Sequence, residues 1–138
     1  MSNSCNEYYS EEYNENNNDN CNENYNDNCN ENYNDKHVHE FTGSVKLAET
    51  GDDRHNHRTA GITSEPRYCE NGRHYHLIKA QTDSAPDDHH HPIIIRTGLD
   101  IKIRGTNKHV HAIKGATRVV DQHCHNFEFA TLTERPLK

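Results

Sequence analysis

The chain has 138 residues, of which 30% are hydrophobic, with no Trp, three Phe, 13 His and a formal charge of -7. That composition allows one small domain with a thin core, and no apolar run is long enough for a membrane span. Lys and Arg are not clustered, so phosphate neutralisation and general nucleic-acid binding are excluded, and the start Met1-Ser2-Asn3-Ser4-Cys5 predicts no cleaved secretory signal.

Residues 1–36 hold 14 Asn, nine acidic residues, five Tyr, three Cys and one base, Lys36, without any Phe, Ile, Leu or Val. Such a segment buries too little apolar surface to offset its conformational entropy and is predicted to be disordered, or ordered only by assembly. It is also a repeat. Residues 21–28 (CNENYNDN) recur as residues 29–36 (CNENYNDK), and residues 13–20 and 5–12 are weaker copies in the same register. An even period puts Cys, Glu, Tyr and Asp on one side of an extended strand and Asn on the other, the pattern of a stackable polar ribbon. Two readings follow: a solvated linker, or an assembly arm in which Cys5, Cys21 and Cys29 crosslink subunits. Five cysteines leave one without an intrachain partner under any connectivity.

Residues 37–138 are nearly neutral, with 14 bases and 13 acids, and every histidine lies in a His-x-His: His37/His39, His55/His57, His74/His76, His89/His91 with His90 between them, His109/His111 and His123/His125. Aligned on the first His, the positions four, six and eight residues later are mostly large apolar (Phe41, Ile78, Ile93, Ile113, Phe127), mostly small (Gly43, Gly61, Ala80, Gly115) and mostly Thr (Thr63, Thr82, Thr97, Thr117, Thr131). A period of two with β-branched enrichment predicts six strands whose histidines share one face. The six group into three pairs, each second member preceded by Asp (Asp53, Asp87, Asp121) and each first member by a base (Lys36, Arg73, Lys108). Three repeats of about 36 residues predict an all-β domain over 37–138 with pseudo-threefold organisation.

The spacing suits a metal. Side chains at i and i+2 emerge on one strand face about 6.6–7 Å apart, so two imidazoles can converge on one ion, and a neighbouring strand can bring a second pair. Three four-histidine sites or one ring are the expected arrangements, with His37, His39, His55, His57, His74, His76, His89, His91, His109, His111, His123 and His125 as ligands. Nitrogen donors without thiolates favour a transition metal, Zn first, with Cu, Ni or Fe as alternatives. Cys124 is predicted to point to the opposite face, and the preceding Asp residues to orient imidazoles or shape turns. Only 21 of the 102 residues from 37 onward are Phe, Ile, Leu or Val, and a domain so poor in apolar residues gains from a metal staple.

The strings HVHEFTG (37–43), GDDRHNHRTAGITSEP (51–66), HYHLIKAQTD (74–83), DDHHH (87–91), HVHAIKG (109–115) and DQHCHNFEFAT (121–131) resemble the YmaF family, His-rich proteins of spore-forming Firmicutes. The resemblance covers 37–138 and leaves out the octad arm. It implies a bacterial origin and a setting in sporulation or at the cell surface. The expected function is therefore a structural, self-associating metal-binding protein of a spore layer or surface filament, reaching the outside after mother-cell lysis, with itself and metal ions as partners. A soluble, cytoplasmic metal buffer is the alternative. A metal-dependent hydrolase or lyase is less expected: no copy has the Glu about four residues after its second His that the cupin pattern wants, and no nucleophile with a partner appears.

Overall fold

The computed structural model describes residues 36–85 and 88–137. The octad arm, Cys5, Cys21, Cys29 and Asp87 lie outside the described residues. Apart from one short 3-10 turn at Gly51–Asp53, every element among the described residues is a β-strand. Among the described residues no helix is long and apolar enough to cross a membrane.

Three long hairpins carry the fold. They are β1 (His37–Ser44) with β2 (Arg58–Ile62), β5 (Leu77–Gln81) with β6 (Pro92–Arg96), and β9 (Ala112–Ala116) with β10 (Asn126–Ala130). Their registers are equivalent: Glu40 faces Ile62, Leu77 faces Arg96 and Ala112 faces Ala130. Each first-member histidine segment also pairs with the chain that leaves a second strand. β4 (His74–Tyr75) takes β3 (Arg67–Tyr68), β8 (His109–Val110) takes β7 (Ile101–Lys102), and β1 takes β11 (Glu134–Pro136). The last of these pairings joins the two ends of the described chain and closes the ring.

Backbone bonds between hairpins run around the same cycle. Ser64 donates to the Leu77 carbonyl, Gly98 to Ala112 and Leu132 to Glu40; at the other end Asp83 donates to Arg58, Arg118 to Pro92 and Lys46 to Asn126. The hairpins thus form a closed three-sided prism. The face that carries the histidines points into it, as the alternation of β1, buried at His37, His39 and Phe41 and more exposed between, requires.

The middle of the prism is filled by Phe41, Val45, Ile78, Ile93, Ile95, Ile113 and Phe127, with Ala80 and Phe129 against them. Small residues at the sixth position have a steric cause. A Cβ on Gly43 would lie 2.7 Å from the Phe129 ring, and one on Gly61 would lie 2.8 Å from Phe41 Cζ. Gly43→Ala therefore overpacks this layer and is expected to cost about 1–3 kcal/mol, measured by urea unfolding of the metal-loaded protein.

The strand boundaries depart from the sequence pattern in two respects. The runs that begin at His74 and His109 are each split into two strands, at His76 and at His111. The second-member histidines do not begin their strands; β2, β6 and β10 start at Arg58, Pro92 and Asn126. His55 and His123 instead make isolated bridges, to Ala48 and Val120. The connecting turn, not the hairpin ladder, sets their backbone: Glu49, Asp88, Asp121 and Gln122 all have positive φ, between 55° and 72°.

Candidate metal centres

In an antiparallel hairpin the start of one strand lies beside the end of the other. The first-member pair of each repeat therefore sits at one end of the prism and the second-member pair at the other. Around the ring this collects His37, His39, His74, His76, His109 and His111 at one end, and His55, His57, His89, His91, His123 and His125 at the opposite end, with the apolar layer between. The result is two six-histidine clusters in place of three four-histidine sites or one ring. His90 is exposed and belongs to neither.

The first cluster has the geometry of an octahedron. Its six ligand nitrogens lie within 4.8 Å of one another. Neighbouring Nε2 atoms are 3.3 Å apart for His37 and His74, and 3.1 Å for His39 and His109 and for His74 and His109. His37 stands edge-on to His39, His74, His76 and His109, which leaves His111 across the centre. His111 in turn is edge-on to His39, His74, His76 and His109. The remaining opposite corners are His39 with His74 and His76 with His109. An octahedron with such edges has its centre about 2.2–2.3 Å from each nitrogen, a little beyond the roughly 2.0–2.1 Å of four-coordinate Zn–N bonds.

The second cluster repeats the plan. His123 Nε2 is 3.2 Å from those of His55 and His91 and 3.3 Å from that of His89, and His57 Nε2 is 3.3 Å from that of His89. His55 is edge-on to His57, His89, His123 and His125 and faces His91 across the centre. His55, His89, His91, His123 and His125 converge within 4.8 Å.

Seven of the twelve rings do not donate across these short nitrogen separations, because their ring protons are elsewhere. His39 Nδ1 donates to the Leu132 carbonyl at 2.8 Å, His76 to Ser64 at 2.7 Å and His111 to Gly98 at 2.9 Å. At the other end His91 donates to Arg118 at 2.9 Å, His125 to Lys46 at 2.8 Å, His55 to Asp53 at 2.6 Å and His123 to Asp121 at 3.1 Å. A carbonyl oxygen only accepts, so the proton is on Nδ1, and in a neutral imidazole Nε2 is then a bare lone pair. Burial favours the neutral form of seven of the rings. It pulls His39 and His91 down from 6.5 to about 4 and His74, His111 and His125 to about 3, while His57 and His76 are lowered too, and the neighbouring histidines push in the same direction. Lone pairs thus converge on each centre, and the Nε2 atoms of His76, His111 and His125 are buried with no hydrogen-bond partner. A cation at the centre is the group that satisfies them, and both clusters are positioned to hold a metal ion.

Backbone and carboxylates fix the rings. The Thr repeat anchors the backbone of the inner histidines, a role the sequence alone leaves open. Thr63, Thr97 and Thr131 accept from the amides of His39, His76 and His111, and Thr82 and Thr117 from those of His91 and His125. Carboxylates stand behind the outer rings at Asp100 for His74 (3.6 Å), Glu134 for His109 (3.3 Å), Asp121 for His89 (3.8 Å) and Glu49 for His123 (3.6 Å). Asp53 and Asp121 act on His55 and His123 through their carbonyls, from turns they also shape, so both expected roles of these residues are combined. Cys124, between His123 and His125, is buried and disulfide-bonded, as is Cys69.

A model for the YmaF family, described as spore germination protein GerY/YamF, matches residues 34–133. The chain belongs to the YmaF family. The match contains all twelve histidines of the two clusters and the Thr residues that anchor them, so the centres belong to the YmaF domain and not to the octad arm. Among curated proteins and among solved structures, nothing matches the chain.

His90 provides an internal control. His90→Ala is expected to leave the metal content unchanged, whereas replacing His39 and His76 together should remove one ion of two, as read by elemental analysis after dialysis.

Proposed function

We propose that this protein is a structural, metal-stapled component of the spore, built to carry two six-coordinate transition-metal ions and to associate with itself through the octad arm. One observation carries the reading: the cluster at the His37 end supplies six imidazole nitrogens at octahedral spacing, so an ion bound there has no free position for substrate or water. A catalytic metal needs such a position, and this disfavours the hydrolase reading. The ligands are also enclosed. At the His37 end His39, His76 and His111 are 0% exposed, which suits an ion that holds a fold together better than the cargo of a freely exchanging buffer.

The donor set also bears on the metal. Structural Zn is almost always four-coordinate and Cu(II) prefers tetragonal surroundings, whereas imidazole also suits Fe and Ni. Six nitrogens in an octahedron therefore favour Fe(II) or Ni(II) over the Zn first expected from the sequence. The spore setting rests on the family description, and self-association rests on the octad repeat and on Cys5, Cys21 and Cys29.

The test is to purify the full chain without tag or added metal, measure bound metals, and record mass and electron micrographs with and without reductant. Two ions per chain and redox-dependent multimers are expected. Metal near zero would overturn the metal reading, and a monomer in both redox states would overturn the assembly reading.

A further inference from the structure

The two centres are not equivalent, and the difference lies at His57. Each of the other five inner histidines is held twice, by an Nδ1–H donated to a carbonyl and by an amide donated to a Thr hydroxyl. His57 has neither hold. Its Nδ1 reaches no carbonyl and makes a long, 3.4 Å contact with Asp83 Oδ1, a carboxylate already engaged by the amide and guanidinium of Arg58. Where the Thr should stand is Val45. The backbone contact there is retained, since Val45 N donates to the His57 carbonyl at 2.9 Å, just as Thr82 N donates to His91 and Thr117 N to His125; only the hydroxyl is missing. His57 also falls outside the group of five nitrogens that converge within 4.8 Å. Asp83 and Arg58 line an open surface groove with Thr42, Gln81 and Thr82, so the carboxylate behind His57 is reached directly by solvent.

We infer that His57 is a displaceable ligand, which makes the centre at the His55 end an exchangeable metal site and the centre at the His37 end a permanent one. This rests on the metal reading above. A ring that lacks both of those hydrogen bonds and leans on a shared carboxylate swings off the ion at less cost than one held by two hydrogen bonds. The position it vacates admits water or one arm of a chelator, from which stepwise release proceeds.

The full chain is loaded with Ni(II) and challenged with excess EDTA at pH 7.5, and metal release is followed in time. Two phases of equal amplitude are expected, separated by about tenfold or more, the scale of one or two net hydrogen bonds. Val45→Thr supplies the missing hydroxyl and should slow the fast phase toward the slow one. Thr131→Val removes the equivalent hydroxyl from His111 and should accelerate the slow phase while leaving the fast one unchanged. A single phase containing both ions, or two phases that ignore both substitutions, would overturn the inference. A chain that takes up no Ni(II) would instead overturn the metal reading itself.

Discussion

Stripping both ions at pH 7.5 is expected to lower the thermal midpoint by more than about 20 °C, or to abolish the folded state outright. The cause is the set of nitrogens left behind. Without a cation the Nε2 atoms of each cluster face one another at 3.1–3.3 Å, and a buried acceptor without a partner costs about 1–3 kcal/mol. His76, His111 and His125 alone are three such atoms, so their cost approaches the roughly 5–15 kcal/mol by which small proteins are stable at all. The apolar layer has little to set against it, since the main core is seven buried residues. In a domain near 100 residues each 1 kcal/mol moves the midpoint by about 4–8 °C. Circular dichroism during a thermal ramp, with and without chelator, checks this, and an unchanged midpoint would mean that the histidines pack without needing an ion.

Acid should act in the same direction as chelation. Burial first, and neighbouring histidines second, hold His39 and His91 at about 4 and His74, His111 and His125 at about 3, against 6.5 when exposed. The unfolded chain therefore takes up protons below pH 6.5 while the folded chain does not. Stability is fully present above 6.5 and is lost as pH falls from there toward 4 and 3, by about 1.4 kcal/mol per unit for each histidine. A bound ion keeps the same nitrogens deprotonated, so loading with metal leaves the sign unchanged and adds proton-driven metal release. With five such groups, one unit below 6.5 removes a large share of a small domain's stability. Urea midpoints at pH 7.5, 6.5 and 5.5 should fall steeply between the last two; a flat profile would mean that the buried rings do not titrate on unfolding.

Much of this arrangement is legible in the residues. The step of two from His37 to His39, Phe41, Gly43 and Val45 marks a strand face, and its recurrence at His74 and His109 marks three equivalent units. What the spacing cannot convey is position along the axis. Whether His37 and His55 share an ion depends on β1 running antiparallel to β2, which carries them to opposite ends. The six-coordinate geometry depends in turn on closure of the ring through β11, a pairing between residues at the two ends of the domain. The carboxylates are harder to read. Asp100 and Glu134 occupy equivalent positions three residues after Thr97 and Thr131, but the first repeat has Pro66 there, so no complete pattern announces them. The Thr repeat is plain in the sequence, but its purpose is visible only in the fold, where the amides of His39, His76, His91, His111 and His125 end on those hydroxyls. The one break in that repeat, Val45, acquires meaning only because His57 lies opposite it.

The six-nitrogen centres are tested most directly by X-ray absorption at the metal edge of the Fe(II)- or Ni(II)-loaded chain, with metal content measured on the same sample. Two ions per chain are predicted, each with a first shell of six imidazole nitrogens at about 2.1–2.3 Å, longer than the roughly 2.0–2.1 Å of a tetrahedral zinc site. Four nitrogens at the shorter distance, or a shell dominated by water oxygens, would contradict the octahedral centres.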